Sequence, residues 1–133
     1  EYGAGLAITT SRRTGPKNEK TLRALLAKYP CWFWDGTGEN PYFGLLALAD
    51  AIIVTADSVS MISEACSTGT PVYIADLDGG SAKFRRFHQT LLATGITRQF
   101  EGRLETWKYD PLNDTAAVAA EILRRLRFTH SAK

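Results

Sequence analysis

Residues 50–76, DAIIVTADSVSMISEACSTGTPVYIAD, decide the fold. An apolar run over residues 51–54 is typical of a buried strand, and small polar residues at 55–58 follow it directly. A helical pattern then continues to Gly69, and residues 71–75 form a second apolar run. The segment therefore predicts a strand–helix–strand unit. Because the first amides of a helix lack partners within it and lie at the positive end of its dipole, this helix N-terminus is a candidate site for a phosphate-bearing ligand.

The composition limits the classes of protein to which the chain can belong. Its 133 residues suffice for one domain with one core, and 44% hydrophobic with 23% charged residues is typical of soluble globular proteins. The net charge of +2 is too small to indicate binding to nucleic acid or to an anionic membrane. The two cysteines are isolated, so neither a disulfide framework nor a zinc site is predicted.

The same sequence predicts no membrane segment and no signal peptide, because no apolar run approaches the roughly 20 residues that span a bilayer. These features favour a reducing, cytoplasmic location. The first residue is Glu1 rather than Met, which favours a domain excised from a longer protein.

Strand and helix patterns alternate along the whole chain. Strands are predicted at residues 5–10, 31–34, 51–54, 71–75 and 97–100. Helices are predicted at residues 17–28, 41–49, 58–68, 81–94 and 115–127. The alternation predicts an α/β fold, a Rossmann-like doubly wound parallel sheet in three α/β/α layers. This domain is expected to cover residues 1–128, followed by a disordered tail at 129–133. The last helix is expected to bury four apolar side chains: Val118, Ile122, Leu123 and Leu126.

Four polar loops follow predicted strands, at residues 11–15, 35–42, 55–60 and 76–83. In sheets of this kind ligands bind at the carboxyl ends of the strands. The four loops are therefore predicted to meet at one ligand-binding edge.

The helix that begins near Ser58 is the main candidate site. Its first amides, those of Ser58, Val59, Ser60 and Met61, are predicted to face the ligand edge and hold a diphosphate. Glu64 is placed below the cap, where a carboxylate accepts both hydroxyls of a ribose. An ordinary capped helix with a solvated glutamate is an equal alternative from the spacing alone, and an ionised Asp57 beside the site would repel a phosphate.

The other loops supply further candidates. Ser11, Arg12, Arg13 and Thr14 follow the first strand, and two guanidinium groups suit phosphate oxygens, although a solvated basic turn is equally consistent. No GxxxxGK[ST] and no GxGxxG sequence is present. Asn40 and Tyr42 offer an amide and an aromatic face to a base or sugar, or act simply as a cap and a core ring.

The fourth helix adds basic residues at its start. Lys83 and Arg86 are candidates to reach a phosphate or sugar, and the glycines before them permit close backbone approach. His88 shares the apolar face and is expected to be a packed, hydrogen-bonded histidine rather than a catalytic base. Asp76 and Asp78 spell D-x-D, a triplet common by chance, so no metal site is predicted.

Three segments taken together resemble one known family: residues 10–14, TSRRT; residues 38–42, GENPY; and residues 49–65, ADAIIVTADSVSMISEA. They are similar to the mitochondrial fission ELM1-like family, whose bacterial members are often labelled nucleoside-diphosphate-sugar epimerases or glycosyltransferases. The chain also resembles, more distantly, the carboxy-terminal halves of GT-B glycosyltransferases. Those halves carry a Glu at the position of Glu64 and then Gly-x-Pro, here residues 69–71.

This resemblance implies one half of a GT-B architecture that binds a nucleotide-diphosphate sugar as its donor substrate, without a metal or other cofactor. It implies that Glu64 holds the ribose, that residues 58–61 hold the diphosphate, and that the loops at 11–14 and 40–42 contact the diphosphate and base. Those GT-B sequences have Ser-Gly-Ala where this chain has residues 57–59, Asp-Ser-Val, so the diphosphate geometry does not transfer.

The resemblance also implies a partner, an N-terminal acceptor domain of the same protein that supplies the catalytic base. This chain alone is then expected to bind without turnover. Two alternatives stay open: a non-catalytic adaptor on a retired enzyme scaffold, as the family's fission name suggests, and an epimerase that shares the donor site. The sequence indicates neither the base, the sugar, the acceptor nor the oligomeric state.

Overall fold

The computed structural model describes residues 3–77 and 82–130, without the side chains of residues 83, 114 and 127–130. In these residues five parallel strands alternate with five helices, which confirms the predicted α/β class. The contacts divide the chain into two compact units, unit 1 (Glu1–Leu48) and unit 2 (Ala49–Lys133). Each unit has its own sheet, so a continuous three-layer sheet over residues 1–128 stays a prediction.

Unit 1 contains a parallel strand pair and two helices. β1 (Leu6–Ile8) pairs with β2 (Cys31–Phe33), and α1 (Gly15–Leu26) connects them. α2 (Tyr42–Leu48) follows, and its Leu46 is the one buried residue among those that the structure describes in this unit. Unit 1 therefore has little core of its own.

Unit 2 contains a three-stranded parallel sheet in the order β3-β4-β5. Its elements in chain order are β3 (Ile52–Thr55), α3 (Val59–Cys66), β4 (Val72–Ala75), α4 (Ala82–Ala93), β5 (Thr97–Gln99) and α5 (Asp114–His130). The central strand places Tyr73 opposite Ile53 on one side and Arg98 on the other. This register confirms the strand–helix–strand unit that residues 50–76 predict.

The core of the chain lies between α3 and β4. Ile62, Ala65 and Cys66 on α3 and Val72 and Ile74 on β4 are each no more than 1% exposed. Strand side chains alternate between faces, so the apolar run of β4 supplies side chains to both faces and is buried on both.

A segment without regular secondary structure, residues 100–113, crosses from β5 to α5 and is fastened to unit 2 at several points. Tyr73 Oη donates to the Glu105 carbonyl and accepts the Glu105 amide. Tyr109 Oη donates to the Thr70 carbonyl at 2.7 Å, and the Leu112 amide donates to the Cys66 carbonyl at 3.0 Å. These bonds fix the point from which α5 begins.

The predicted burial of the last helix is wrong. Its four apolar residues are exposed by more than half: Val118, Ile122, Leu123 and Leu126. The spacing correctly predicts a helix with an apolar face, but spacing contains no information about whether another element covers that face. α5 also continues to His130, three residues beyond its predicted end, and residues 131–133 lie outside the described part of the chain.

Candidate functional site

The N-terminus of α3 lies directly after β3, where the sequence predicts it. Ser58 is its N-cap residue and is only 6% exposed, yet its hydroxyl makes no capping hydrogen bond. The Ser58 carbonyl accepts the Ile62 amide at 3.0 Å, which is the first bond of the helix. The amides of Val59, Ser60 and Met61 precede that bond and have no acceptor within the helix. The Ser58 amide, which the sequence predicts as a further donor to the ligand, instead donates to the Thr55 carbonyl at 3.3 Å. Three amides and one hydroxyl thus gather at a positive helix end.

The turn before α3 is held by bonds to both neighbouring strands. The Ala56 amide donates to the Ala75 carbonyl at 2.9 Å, which joins the carboxyl ends of β3 and β4. Thr55 Oγ1 donates to Asp57 Oδ1 at 2.7 Å, so one carboxylate oxygen is directed toward the end of β3. The carboxyl group that the sequence predicts beside the site therefore lies there and accepts a hydrogen bond from Thr55.

Glu64 lies on the same helix, five residues beyond Val59 and exposed. At 1.5 Å per residue this places its backbone about 7.5 Å along the axis from the first turn. That separation is comparable to the distance between a diphosphate and the ribose attached to it. The ribose contact predicted for Glu64 stays a prediction.

The loop after β4 is described only in part. Asp76 and Leu77 are exposed at the carboxyl end of that strand, and Arg86 is exposed on α4. Asp78, residues 79–81 and the side chain of Lys83 lie outside the described residues. In the part of the chain that is described, no group of three His, Cys, Asp or Glu residues is placed to hold a metal ion.

The basic turn of unit 1 follows β1. Arg12 and Arg13 are both exposed, and the turn is closed by the Thr14 amide donating to the Ser11 carbonyl at 3.0 Å. Ser11 Oγ also accepts the Arg13 amide at 3.2 Å. Thr14 then serves as the N-cap residue of α1, again without a side-chain capping bond. The turn presents two guanidinium groups at the carboxyl end of β1.

The loop after β2 contains the remaining predicted contacts. Asn40 Oδ1 accepts the Tyr42 amide at 3.0 Å, and the Pro41 carbonyl accepts the Leu45 amide at 2.9 Å. Asn40 therefore supports the start of α2, which is the capping role that the sequence offers as the alternative to ligand binding. Tyr42 is half-buried and meets Phe43 edge to face, with ring centroids 5.3 Å apart. The loops after β1 and β2 belong to unit 1 and those after β3 and β4 to unit 2, so their meeting at one edge stays a prediction.

Comparison with known proteins gives the family. The sequence model described as "Mitochondrial fission ELM1" matches residues 1–126, nearly the whole chain. The chain belongs to the mitochondrial fission ELM1 family. This confirms the family resemblance that residues 10–14, 38–42 and 49–65 indicate.

Two curated proteins are similar to this member of the family. Mitochondrial fission protein ELM1 of Arabidopsis thaliana is 46% identical over 123 residues, which are 90% of this chain and 29% of that protein. Uncharacterized protein RP120 of Rickettsia prowazekii is 42% identical over 96 residues, 69% of this chain and 27% of that protein. The chain thus spans less than a third of the length of either relative. No solved structure matches it.

One feature of this ELM1-family chain that sequence reasoning missed is a clamp around Arg23. Its guanidinium pairs with Glu19 at 2.9 Å, donates to the Trp34 carbonyl at 3.2 Å and stacks 3.8 Å from the centre of the Phe33 ring. Glu19 in turn accepts Thr10 Oγ1 at 3.2 Å. The clamp therefore joins the carboxyl ends of β1 and β2, from which both unit 1 loops begin. The i, i+4 spacing of Glu19 and Arg23 is the sequence signal that could have revealed it.

A second cluster that sequence reasoning missed joins β4 and β5 to the segment of residues 100–113. Trp107 meets Tyr73 edge to face at 5.1 Å, and the Arg98 guanidinium lies 4.4 Å from the centre of the Trp107 ring. Arg98 also pairs with Glu105. No local pattern indicates this cluster, because Tyr73 and Trp107 are far apart in sequence.

Burial makes two side chains of unit 2 weaker acids than usual. Burial raises the pKa of the Cys66 thiol to about 11 and, as the largest cause, that of the Tyr109 hydroxyl to about 12. Both groups stay protonated, and a protonated thiol is a poor nucleophile. His88 is 8% exposed, as expected of a packed histidine, although its Nε2 has no hydrogen-bond partner in the described structure.

The described residues include no helix with the length and apolar character needed to span a membrane. Unit 1 has a shallow cavity of about 310 Å³ near the amino ends of its strands. It is lined by Gly5, Leu6, Ala7, Pro30, Cys31 and Trp32. None of these is a predicted site residue, and the cavity lies at the end of β1 and β2 opposite their loops.

Proposed function

We propose that this chain is the nucleotide-diphosphate-sugar binding domain of a GT-B-type glycosyltransferase, with the diphosphate held at the N-terminus of α3. One observation carries the proposal: Ser58 is nearly buried and stands at the N-cap, yet its hydroxyl does not cap the helix. A serine at this position ordinarily accepts one of the first amides. Here the amides and the hydroxyl remain available to an anion.

The proposed contacts are hydrogen bonds to phosphate oxygens. The amides of Val59, Ser60 and Met61 donate to the diphosphate, and the Ser58 hydroxyl donates a fourth bond. Bonds to an ionised acceptor are about twice as strong as neutral ones, and the helix dipole adds a favourable field. Glu64, about 7.5 Å along the axis, accepts the ribose hydroxyls.

Asp57 weakens this site without abolishing it. Its carboxyl group lies two residues before α3, and one of its oxygens accepts a hydrogen bond from Thr55 Oγ1. Two like charges that lie several ångströms apart in a solvent-accessible site repel each other by about 1 kcal/mol. Three amide donors exceed that cost.

In this proposal the groups that bind the acceptor and catalyse the transfer lie in another part of the full-length protein. The catalytic base comes from an acceptor-binding domain in a longer polypeptide, consistent with relatives more than three times as long as the matched region. The domain is expected in the cytoplasm and binds the donor without a metal or other cofactor. Alone, it binds the donor and does not turn it over.

Calorimetric titration with UDP, GDP and ADP and their sugars tests the proposal. Val59→Pro removes one amide donor, and proline is tolerated at the first helical position because that N–H makes no helical bond. Loss of one charge-assisted bond is expected to weaken binding about tenfold. Asp57→Asn is expected to tighten it about fivefold by removing the like charge.

Ser63→Ala on the same helix is the matched control, because it removes a hydroxyl away from the N-terminus. Its affinity should equal that of the unchanged chain. Absence of binding by every nucleotide at millimolar concentration contradicts the proposal. Equal affinity of the Val59→Pro variant and the unchanged chain would place the ligand elsewhere.

A second candidate is a non-catalytic adaptor, and one observation favours it: the 46% identical relative is named as a mitochondrial fission protein. Capture of partner proteins that is insensitive to Glu64→Ala and Arg12→Ala, together with no nucleotide binding, supports the adaptor. An epimerase would share the donor site, and product analysis of a complete enzyme separates epimerisation from transfer.

A further inference from the structure

Basic residues are concentrated in one short stretch of unit 1. Residues 12–28 contain all six Lys and Arg residues of that unit and one acidic residue, Glu19. Unit 2 contains ten basic and ten acidic residues, so the net charge of +2 arises from unit 1. The average over the chain therefore conceals a local excess of positive charge, which lies on α1 and the residues that flank it.

Three of the lysines lie on one side of α1. Lys17 and Lys28 are about three turns apart, and the backbone stays helical through the C-cap residue Ala27, with φ −56° and ψ −23°. Lys20 lies beside Lys17 at i, i+3 spacing. The residues between these lysines on the same side are small or apolar, and every residue of this side is exposed. This lysine stripe consists of Lys17, Lys20, Thr21, Ala24, Leu25 and Lys28.

The opposite side of α1 makes the contacts with the strand pair. There Arg23 stacks on Phe33 at 3.8 Å, and Glu19 accepts Thr10 Oγ1 at 3.2 Å. Arg23 and Glu19 also pair at 2.9 Å, so the one acidic residue of the stretch neutralises a cation on the strand side. The lysine stripe is therefore the solvent-facing side of the helix, and it contains no acidic residue.

The charge pattern of α1 opposes the helix dipole. Anionic side chains stabilise a helix N-terminus, whereas cations there are unfavourable. The first turn of α1 contains no acidic residue and includes Lys17, and Arg12 and Arg13 precede its N-cap. Thr14, the N-cap residue, makes no side-chain capping bond. The cations therefore do not serve the stability of the helix, and their position suits an external anionic partner.

We propose that the lysine stripe binds the surface of a membrane that contains anionic lipids. The proposal does not depend on nucleotide binding. Two exposed apolar side chains favour this partner. Leu25 is 64% exposed and lies one turn from Lys28, and Tyr29 is 54% exposed with its ring centre 5.2 Å from Lys28 Nζ. At a lipid surface the ammonium groups meet the headgroups while leucine and tyrosine enter the interface. The phosphates of a nucleic acid would make no favourable contact with Leu25.

The short stripe predicts weak binding that depends on salt. Each Lys or Arg near an anionic membrane surface raises the binding constant about fivefold, and three lysines together raise it about 100-fold. The attraction falls off within one Debye length, which is about 10 Å at 0.1 M salt. The chain should therefore bind anionic vesicles at low ionic strength and dissociate from them as salt is added.

Sedimentation with vesicles tests the proposal. The chain should bind vesicles of phosphatidylcholine with about 30% phosphatidylserine, and it should not bind phosphatidylcholine alone. The triple variant Lys17→Gln, Lys20→Gln and Lys28→Gln should bind the anionic vesicles about 100-fold more weakly. Glutamine has nearly the helix propensity of lysine, so this variant should keep the helix content of the unchanged chain in circular dichroism.

The matched control removes the same number of charges from unit 2. Arg85, Arg103 and Lys108 are exposed there, and the variant with all three replaced by Gln should bind the anionic vesicles nearly as well as the unchanged chain. Leu25→Ser tests the apolar part of the stripe without a change in charge. It should weaken binding about fivefold, because one exposed leucine no longer enters the interface.

Four results would overturn the proposal. The first is a chain that binds anionic and neutral vesicles equally, or binds neither at low salt. The second is an equal loss of binding in the two triple variants, which would make net charge rather than the stripe responsible. The third is a Leu25→Ser variant that binds as tightly as the unchanged chain. The fourth is binding to single-stranded DNA or polyglutamate in place of vesicles, which would assign the stripe to a nucleic acid or an acidic protein.

Discussion

At the scale of single residues, Gly→Ala substitutions at two glycines separate the effect of backbone strain on stability from the effect of crowding. Gly69 has φ +78°, and a Cβ placed there would lie 3.3 Å from Cγ of Pro111. Gly95 has a similar φ of +73°, but a Cβ there meets nothing within 4 Å. Both Gly→Ala variants pay about 1–2 kcal/mol for the left-handed conformation. Only Gly69→Ala must also push Pro111 aside by a few tenths of an ångström. We therefore expect it to lower the free energy of unfolding more than Gly95→Ala does, as measured by urea denaturation. A larger loss in Gly95→Ala would contradict this account.

At the scale of elements, the stability of α5 is expected to depend on pH. Hydrogen bonds lower the pKa of Glu121 from 4.5 to about 2, and the bond from Arg124 contributes more than the bond from Arg125. A carboxyl whose folded pKa is depressed stabilises the folded state above its unfolded pKa and loses that contribution as the pH falls through the folded value. Helix content measured by circular dichroism should therefore fall between about pH 4.5 and 2. Glu121→Gln should remove the part of this transition that belongs to α5. An identical acid transition in both proteins would show that the pairs do not stabilise the helix.

The elements also show what sequence patterns can and cannot predict. Five strands and five helices were predictable, because alternating apolar runs and turn residues are local signals. The exposure of Ile122 was not predictable, because apolar spacing places it on one face of the helix but does not show whether another element covers that face. The Tyr73–Glu105 and Tyr73–Trp107 contacts were missed because they join residues more than thirty positions apart. At the candidate site, Ser58 was predictable as a helix start, but the absence of its capping bond required coordinates.

At the scale of the whole molecule, burial is unequal between the two units, and this predicts unequal local stability. β4 contains Val72 and Ile74, which are 0% and 1% exposed, whereas no residue of β1 or β2 is buried. Opening free energies are highest where apolar burial is greatest. Hydrogen exchange followed by mass spectrometry should therefore show the slowest amide exchange in β4 and faster exchange in β1 and β2. Ile74→Ala should cost about 2–5 kcal/mol of unfolding free energy by opening a cavity. Leu6→Ala is the matched control, because Leu6 is 41% exposed on β1 and its truncation leaves no closed cavity. Equal protection of both sheets, or equal costs for the two variants, would mean that the stability of the chain is not concentrated in the core between α3 and β4.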